Sequence, residues 1–344
     1  YIQPINWGKT GWIWEESEFR KWMDQRILET QVRIQQKQLL PDISLQITIP
    51  NEFEKLCNTN IGYTAGIETT KVAPKWLEKG NGMDKILVVS QHAKDSYINT
   101  VAQAQNQQTG EVFPYRLETP VDVVWENTVL AENPEQIPGF EPSKDFNFLV
   151  VSQMGPRKNL ENTIKWFVEE FIDQDVGLIV KTNVRSNCRM DLEYTEKSIK
   201  AILDPYPDRK CSVSLLHGDL SEGQMRALYE HDKVKAMINI SHGEGFGLPM
   251  FEAARCSLPI IAVGWSGQLD FLRHEGKDYF LRVKHELKPI QQSAAWEGVL
   301  EGDSMWAYAD QGSYKMALRM MYKKHADFLK QSVKLKEIVN TKFR

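Results

Sequence analysis

The sequence is poor in the features that mark membrane-spanning, secreted and nucleic-acid-binding proteins. Among its 344 residues, no apolar run approaches the roughly 20 residues that a membrane-spanning helix needs. Its first residues lack the succession of basic, apolar and small residues that makes a signal peptide. The formal net charge is only −4, and residues 1–144 carry more acidic than basic side chains. Charge therefore does not indicate a nucleic-acid partner, although it does not exclude a local basic groove.

Cysteine is scarce and scattered. The four cysteines are Cys57, Cys188, Cys211 and Cys256, and no two of them form a C-x-x-C pair. This usage favours free thiols in a reducing compartment over a disulfide framework. We therefore expect four buried free thiols and a cytoplasmic protein, in the host cytoplasm if the chain is viral.

What the sequence does contain is an alternation of short β-branched runs and longer helical segments. In the first part of the chain, strands are predicted at residues 43–50, 61–65, 84–90 and 120–125, and helices at 73–83 and 91–104. The strands have continuous rather than alternating apolar runs, which is typical of a parallel sheet buried on both faces. The polar segment 103–110 (QAQNQQTG) is predicted to be a mobile surface insertion.

A segment with three prolines and a glycine, residues 132–145, interrupts the alternation and predicts a linker. Strands and helices alternate again from residue 146, and one long or kinked packing helix is predicted from about Ser313 onward. Two such arrays joined by a linker predict an α/β protein with two doubly wound Rossmann-like domains that face a cleft. We place the first domain at residues 1–143 and the second, with the C-terminal helix, at 144–344.

The most informative stretch, residues 241–256 (SHGEGFGLPMFEAARC), follows a predicted strand and enters a helix. Its glycines let backbone N–H groups approach a ligand, and Pro249 suits the first turn of a helix. The partial positive charge of the helix N-terminus favours an anion there, so a diphosphate can be held without a metal. Glu244 and Glu252 can accept hydrogen bonds from two other parts of the same ligand. Alternatively, Glu252 merely favours the helix N-terminus and Glu244 is a solvated loop residue.

A second candidate site lies at the start of the second domain. In VVSQMGPRKNLENTI, Arg157 and Lys158 stand between a predicted strand and a helix. Two cations at this position can neutralise a diphosphate leaving group as charge builds on it, or they are merely an exposed pair. Lys181, which follows the next strand, is a weaker candidate for the same cleft.

These stretches carry a resemblance to a known family. The segment EGFGLPMFE resembles the E-x7-E signature of retaining family-4 glycosyltransferases with the GT-B fold, and PRKN resembles that family's phosphate-binding motif. The segments IGYTAGIETTKVAPKW and MDKILVVSQHAKDSY are similar to parts of such enzymes, including phage-encoded ones. One departure is Ser257, where the family usually has glycine. The family's glycine-rich loop after its first strand is not found, so the first domain is predicted to lack that strand.

The resemblance implies a role for each candidate residue. Glu244 would contact the hydroxyls of the donor sugar and Glu252 the ribose, while Arg157 and Lys158 stabilise the leaving diphosphate. The backbone amides beside the sugar and diphosphate would be those of Gly245, Phe246, Gly247 and Leu248. Glu68, which follows a strand of the first domain, would lie on the acceptor side.

The function implied is the retaining, metal-independent transfer of a hexose from a nucleotide diphosphate sugar to an unknown acceptor. No cofactor is expected beyond the donor substrate. Two alternatives stay open: a phage enzyme that glycosylates modified DNA bases, and a non-catalytic nucleotide-sugar-binding or scaffold protein.

The remaining candidates have plainer interpretations. Ser90 is predicted to cap a helix, and Trp7, Trp12 and Trp14 are predicted to pack at a core edge. The DQD segment, residues 173–175, resembles a metal-binding D-x-D but falls at the wrong end of its strand. No metal-ligand spacing links the histidines at positions 217, 231, 242, 274 and 285. His242 adjoins the E-x7-E segment and is a candidate for the pocket wall.

Overall fold

The computed structural model describes residues 1–5, 16–38 and 41–343; Trp7, Trp12 and Trp14 lie outside them. The helices of these residues are α1 (Glu18–Gln35), α2 (Pro74–Gly80), α3 (Gln91–Asn99), α4 (Leu160–Phe171), α5 (Arg189–Leu203), α6 (Glu222–Glu230), α7 (Leu248–Arg255), α8 (Leu269–Leu272), α9 (Gln311–Lys323) and α10 (His325–Lys342). The strands are β1 (Ile43–Ile47), β2 (Thr59–Thr64), β3 (Lys85–Val88), β4 (Ala102–Gln105), β5 (Val112–Tyr115), β6 (Val121–Val123), β7 (Asn147–Val151), β8 (Gly177–Lys181), β9 (Ser212–Leu216), β10 (Val234–Asn239), β11 (Ile260–Val263), β12 (Arg273–His274), β13 (Lys277–Asp278), β14 (Leu281–Val283), β15 (His285–Pro289) and β16 (Met305–Ala309).

The larger sheet is doubly wound. Within the described residues its strand order is β14-β11-β10-β7-β8-β9, and every pairing is parallel. The chain starts at β7, runs outward through β8 and β9, then returns to the other side of β7 to add β10, β11 and β14. The strand order therefore reverses between β7 and β10. In open α/β sheets this switch point is where loops diverge and a ligand crevice forms.

Helices cover the larger sheet because their apolar residues recur at helical spacing. In α4, Leu160, Ile164, Phe167, Val168 and Phe171 form one buried stripe. The stripe packs in a cluster that includes Phe148 and Val150 of β7. This packing fixes the loop that joins β7 to α4, which carries the PRKN residues.

The smaller sheet has the parallel order β1-β2-β3-β6 in the part of the chain that the structure describes. Its core contains Trp76 of α2 and Tyr97 of α3, which pack with Ile86 and Val88 of β3. Both sheets are parallel, as predicted. Residues 124–146, between β6 and β7, form neither helix nor strand; the domain limits at 143 and 144 stay a prediction.

One predicted helix of the first part is too long. The prediction for residues 91–104 is wrong beyond Asn99, where α3 ends. The hydroxyl of Thr100 donates to Ser96 O and accepts from the Val72 N–H, which holds Thr100 in an extended conformation. Residues 102–105 instead form β4, which pairs antiparallel with β5. The predicted surface insertion is therefore part of a β-hairpin.

The C-terminal region, predicted as one long or kinked helix, has the kinked form. A break at Lys324 separates α9 from α10. Leu335 and Val339 of α10 are buried in the cluster that contains α7. Beyond α10, Phe343 reaches Trp125, which follows β6, with ring centroids 4.6 Å apart. The C-terminal helices thus connect the helix that carries Glu252 to the end of the smaller sheet.

The cysteines are free, as predicted, but not uniformly buried. Cys211 is buried, Cys57 and Cys256 are half-buried, and Cys188 is exposed. Cys188 lies outside the core because it precedes α5 in the surface loop after β8. Among the described residues, no helix combines the length and apolarity needed to cross a membrane.

Candidate active site

Two loops meet at the switch point of the larger sheet. The loop after β7 carries Arg157 and Lys158, and the loop after β10 carries Glu244. Because β7 and β10 are parallel neighbours, their carboxyl ends bring these loops together. The His242 N–H donates to the backbone O of Arg157 at 2.8 Å, so the two main chains are joined directly.

Glu244 is a buried, ionised carboxylate and not a solvated loop residue. It is 5% exposed. Lys158 Nζ lies 2.7 Å from both of its oxygens, and Asn239 Nδ2 donates to Oε1 at 3.1 Å. Burial alone raises the pKa of Glu244, but the charges of Lys158 and Arg157 and these hydrogen bonds together lower it to about 2. Glu244 therefore keeps its charge at neutral pH.

Arg157 is shared between the two sheets. Its Nη1 donates to Glu244 Oε2 at 3.1 Å and to Gly243 O at 2.6 Å. Its Nη2 lies 3.1 Å from Oε1 of Glu68, in the loop after β2. Glu68, predicted on the acceptor side, thus lies at the same site. We call Glu68, Arg157, Lys158 and Glu244 the charge cluster. Arg157 and Lys158 are not an exposed pair.

Glycine is required where the loops touch. A Cβ on Gly243 would lie 2.2 Å from the backbone O of Glu68, and one on Gly245 would lie 2.7 Å from Ala65 O. The same holds for Gly267, in the GWSG loop after β11: a Cβ on this residue would lie 1.8 Å from Gly245 O. Contacts this short exclude any side chain, so the loops pack backbone against backbone.

Glu252 occupies a different environment. α7 begins at Leu248 with Pro249 in its first turn, as predicted, and Gly247 precedes it with a left-handed φ of 96°. Glu252 is half-buried, and its Oε2 accepts a hydrogen bond from Tyr229 OH at 2.8 Å. Burial raises its pKa above the usual value for glutamate. Phe246 is buried in the core, with Phe251 and Phe271 ring centroids 5.2 Å away, so it offers a ligand only its backbone.

Other sequence candidates lie elsewhere or have structural contacts. The amine of Lys181 donates to the backbone O of Gly218, and no contact between described atoms joins it to the charge cluster. His242 does not line a pocket: it is 2% exposed, stacks on Trp306 and bonds Ala307 O through Nδ1 at 2.7 Å. Its ring is enclosed because the β15–β16 hairpin covers it.

Two plainer predictions agree with the structure. The Ser90 side chain caps α3 by accepting from the Ala93 N–H at 3.2 Å. Asp173 and Asp175 lie between α4 and β8, at the amino edge of the sheet, and Asp175 pairs with Lys144. No group of three or more His, Cys, Asp or Glu side chains among the described residues is arranged to hold a metal ion.

The sequence alone did not identify three supporting residues. Asn239 donates to Glu244, the Ser266 hydroxyl accepts the Glu244 N–H at 2.9 Å, and Tyr229 donates to Glu252. Asn239 had a detectable signal, because a polar side chain ending a buried strand needs a partner. Tyr229 had none, since a tyrosine on an amphipathic helix is an ordinary core residue.

Comparison with known proteins identifies the fold. No protein-family model and no curated protein matches the chain. A sucrose-phosphate synthase from Thermosynechococcus elongatus superposes with a TM-score of 0.56 at 15% identity, over 84% of this chain and 65% of that one. TarM from S. aureus, solved with UDP and alpha-GlcNAc-glycerol, gives 0.54 at 12% identity, over 88% and 52%.

A third structure, a trehalose-6-phosphate structure from E. coli with bound UDP-2-fluoro glucose, gives a TM-score of 0.55 at 10% identity, over 95% of this chain and 76% of that one. The chain spans less than two thirds of the length of the first two proteins. At such low identity the similarity defines the fold, and the fold is GT-B: two Rossmann-like units, as predicted.

Proposed function

We propose that this chain is a glycosyltransferase that moves a hexose from a nucleotide diphosphate sugar to an acceptor hydroxyl, with retention of configuration. The observation that carries the proposal is Glu244. It is buried and ionised at the switch point of a doubly wound sheet, between Lys158 and Arg157. A carboxylate and two cations beside the N-terminus of α7 suit a ligand that has hydroxyls next to a diphosphate.

Each part of the donor has a matching group. The diphosphate fits Arg157, Lys158 and the backbone amides from Gly245 to Leu248, because all of them are positive at this point. Glu244 accepts hydrogen bonds from the sugar hydroxyls. Glu252, one helical turn into α7, accepts them from the ribose. UDP or a UDP-sugar in structures of the same fold supports a nucleoside diphosphate as the ligand class.

The reaction then follows from these positions. The bond between the anomeric carbon and the phosphate oxygen breaks, and the acceptor oxygen bonds to the same face of that carbon. The acceptor proton passes to the leaving phosphate. Arg157 and Lys158 stabilise the negative charge that develops on the leaving group, so they act most strongly in the transition state. No protein nucleophile and no metal are required in this scheme.

The test is a comparison of two isosteric variants. Glu252→Gln should weaken the binding of free UDP as well as UDP-sugar, because both contain ribose. Glu244→Gln should cripple transfer without weakening UDP binding, because its hydrogen-bond partner is the sugar and its charge, beside Arg157 and Lys158, opposes a phosphate. A hydrogen bond to a charged group contributes about 1.5–3 kcal/mol, so calorimetry resolves the contrast. ADP and GDP are titrated alongside, since the base is not specified.

Two outcomes would contradict the proposal. If both variants bind UDP like the parent and still transfer sugar, the two glutamates only support a helix start. If the parent binds nucleotide sugars but neither hydrolyses nor transfers them, the chain is a binding protein. Glu78→Gln on the exposed face of α2 serves as the control, because among the described residues its ion pair is a local one with Lys75.

A further inference from the structure

The charge cluster is electrically balanced before any ligand arrives. Arg157 and Lys158 supply two positive charges, and Glu68 and Glu244 supply two negative ones. Glu244 touches both cations, whereas Glu68 touches Arg157 alone. A diphosphate that binds at Arg157 therefore enters a site whose positive charge is already matched.

Glu68 belongs to the opposite sheet and is held there by its main chain. Its backbone O abuts Gly243 so closely that a Cβ would not fit. Two residues on, Thr70 N donates to Met305 O at 2.9 Å and Thr70 Oγ1 accepts from Met305 N at 3.1 Å. The Glu68 loop is thus pinned to β16. The longer side chain of Arg157 is the partner that can turn towards a ligand.

We propose that Glu68 is a positioning residue that holds Arg157 in the empty site and competes with the donor's diphosphate for it. The inference rests on the proposed function. Like charges placed close together in a partly buried site oppose each other, so the Glu68 carboxylate opposes the entry of a phosphate. Arg157 can donate hydrogen bonds first to Glu68 and then to the diphosphate, because a guanidinium has several N–H donors in a fixed plane. Diphosphate binding weakens the ion pair between Arg157 and Glu68. That pair is one of the contacts between the two halves of the molecule, the half with the smaller sheet and the half with the larger sheet.

The test uses Glu68→Gln, which keeps the side-chain shape and removes the charge. UDP should bind this variant about tenfold more tightly than the parent. That is a typical size for the coupling between two binding events, here those of the Glu68 carboxylate and the diphosphate at Arg157. Uridine, which lacks phosphate, should bind both proteins equally. A purely structural role for Glu68 would change both affinities in the same direction. Thermal unfolding of the variant confirms that it folds.

Asp270→Ala is the matched control. Asp270 Oδ2 also joins the two halves, accepting from the Gln91 N–H at 2.9 Å and from Trp125 Nε1 at 2.8 Å, but it does not touch Arg157. This variant should leave UDP affinity unchanged. If it tightens UDP as much as Glu68→Gln does, loosening of the halves accounts for the effect and the inference is wrong.

The remaining outcomes separate the inference from the proposed function. If the parent binds UDP but Glu68→Gln binds it equally or more weakly, competition is excluded while the proposed function stands. If the parent binds none of UDP, ADP and GDP, the proposed function fails and the inference fails with it.

Discussion

Two glutamates that the sequence presents as a pair have opposite electrostatic environments. Glu244 is surrounded by Lys158, Arg157 and Asn239, which together outweigh its burial. Glu252 is half-buried beside a neutral tyrosine, so burial dominates. The fixed charge of Glu244 agrees with its proposed role, in which it accepts hydrogen bonds from a sugar. Glu252 has the raised pKa, so it should take up a proton before Glu244 does as the pH falls.

Lowering the pH should therefore change the contributions of the two glutamates to folding stability in opposite directions. Glu244 has a folded-state pKa of about 2, below the unfolded value of roughly 4.3, so its ionisation stabilises the fold above that value and this stabilisation is lost as pH falls towards 2. Glu252 has a raised pKa, so its ionisation costs stability at neutral pH and the cost is relieved as pH falls.

The measurement is chemical denaturation of the parent, Glu244→Gln and Glu252→Gln from pH 7 to pH 3.5. The stability advantage of the parent over Glu244→Gln should shrink below about pH 4.5. Relative to Glu252→Gln, the parent should gain stability as pH falls. Parallel curves for all three proteins would show that neither carboxylate is perturbed.

At the level of elements, loops that follow parallel strands build the site, and glycine sets their spacing. The loop after β10 is enclosed between the Glu68 loop on one side and the GWSG loop on the other. Gly267 N donates to Glu244 O at 3.0 Å, which fixes the backbone of the key carboxylate. The glycines thus allow close packing as well as ligand approach, and the sequence pattern had suggested only the second role.

Gly267→Ala should displace the loop that carries Glu244. The new Cβ would lie 1.8 Å from Gly245 O and 2.9 Å from Glu244 O, and backbone cannot give way as a flexible side chain can. We expect a loss of about 1–3 kcal/mol in unfolding free energy, as for other overpacked sites. Because the loop shifts, UDP-sugar turnover should also fall.

Gly302→Ala is the control for that substitution. A Cβ at this position would meet its nearest neighbours at 3.7 Å, which is ordinary contact. Denaturation and turnover of both variants can be measured side by side. Equal stability of Gly267→Ala and the parent would mean that the two loops do not pack as described.

At the scale of the whole molecule, the two sheets are joined by contacts spread along their interface. Arg157 and Glu68 link the halves at one place. Trp125, which contacts both Asp270 and Phe343, links them at another. In the proposed function, the positive charge for a diphosphate comes from side chains and a helix N-terminus.

An excess of EDTA should therefore leave sugar transfer nearly intact, because in the proposed function Arg157, Lys158 and α7 supply the positive charge that a metal ion supplies in metal-dependent transferases. Initial rates are compared with and without the chelator, and again after adding Mg²⁺ or Mn²⁺. A strict requirement for either ion would mean that a metal-binding group acts at the diphosphate.

Much of the local structure was predictable because it depends on neighbouring residues. Apolar runs predicted the parallel strands, and Ser90 predicted a helix start. The helix prediction failed past Asn99, where the side chain of Thr100 bonds Val72, a residue distant in sequence. The prediction that His242 lines a pocket failed for the same kind of reason, because the covering hairpin pairs only in the folded chain.

The sequence by itself determined the chemical groups of the site: two glutamates, two cations, and glycines and a proline at a strand-to-helix turn. These follow from residue type and spacing. Only the tertiary structure decided their partners. Arg157 and Glu244 are 87 positions apart and meet because β7 and β10 are neighbours in the sheet. Glu68 reaches Arg157 because the two sheets face each other. Strand order and sheet docking depend on packing across the whole chain, which no local pattern encodes.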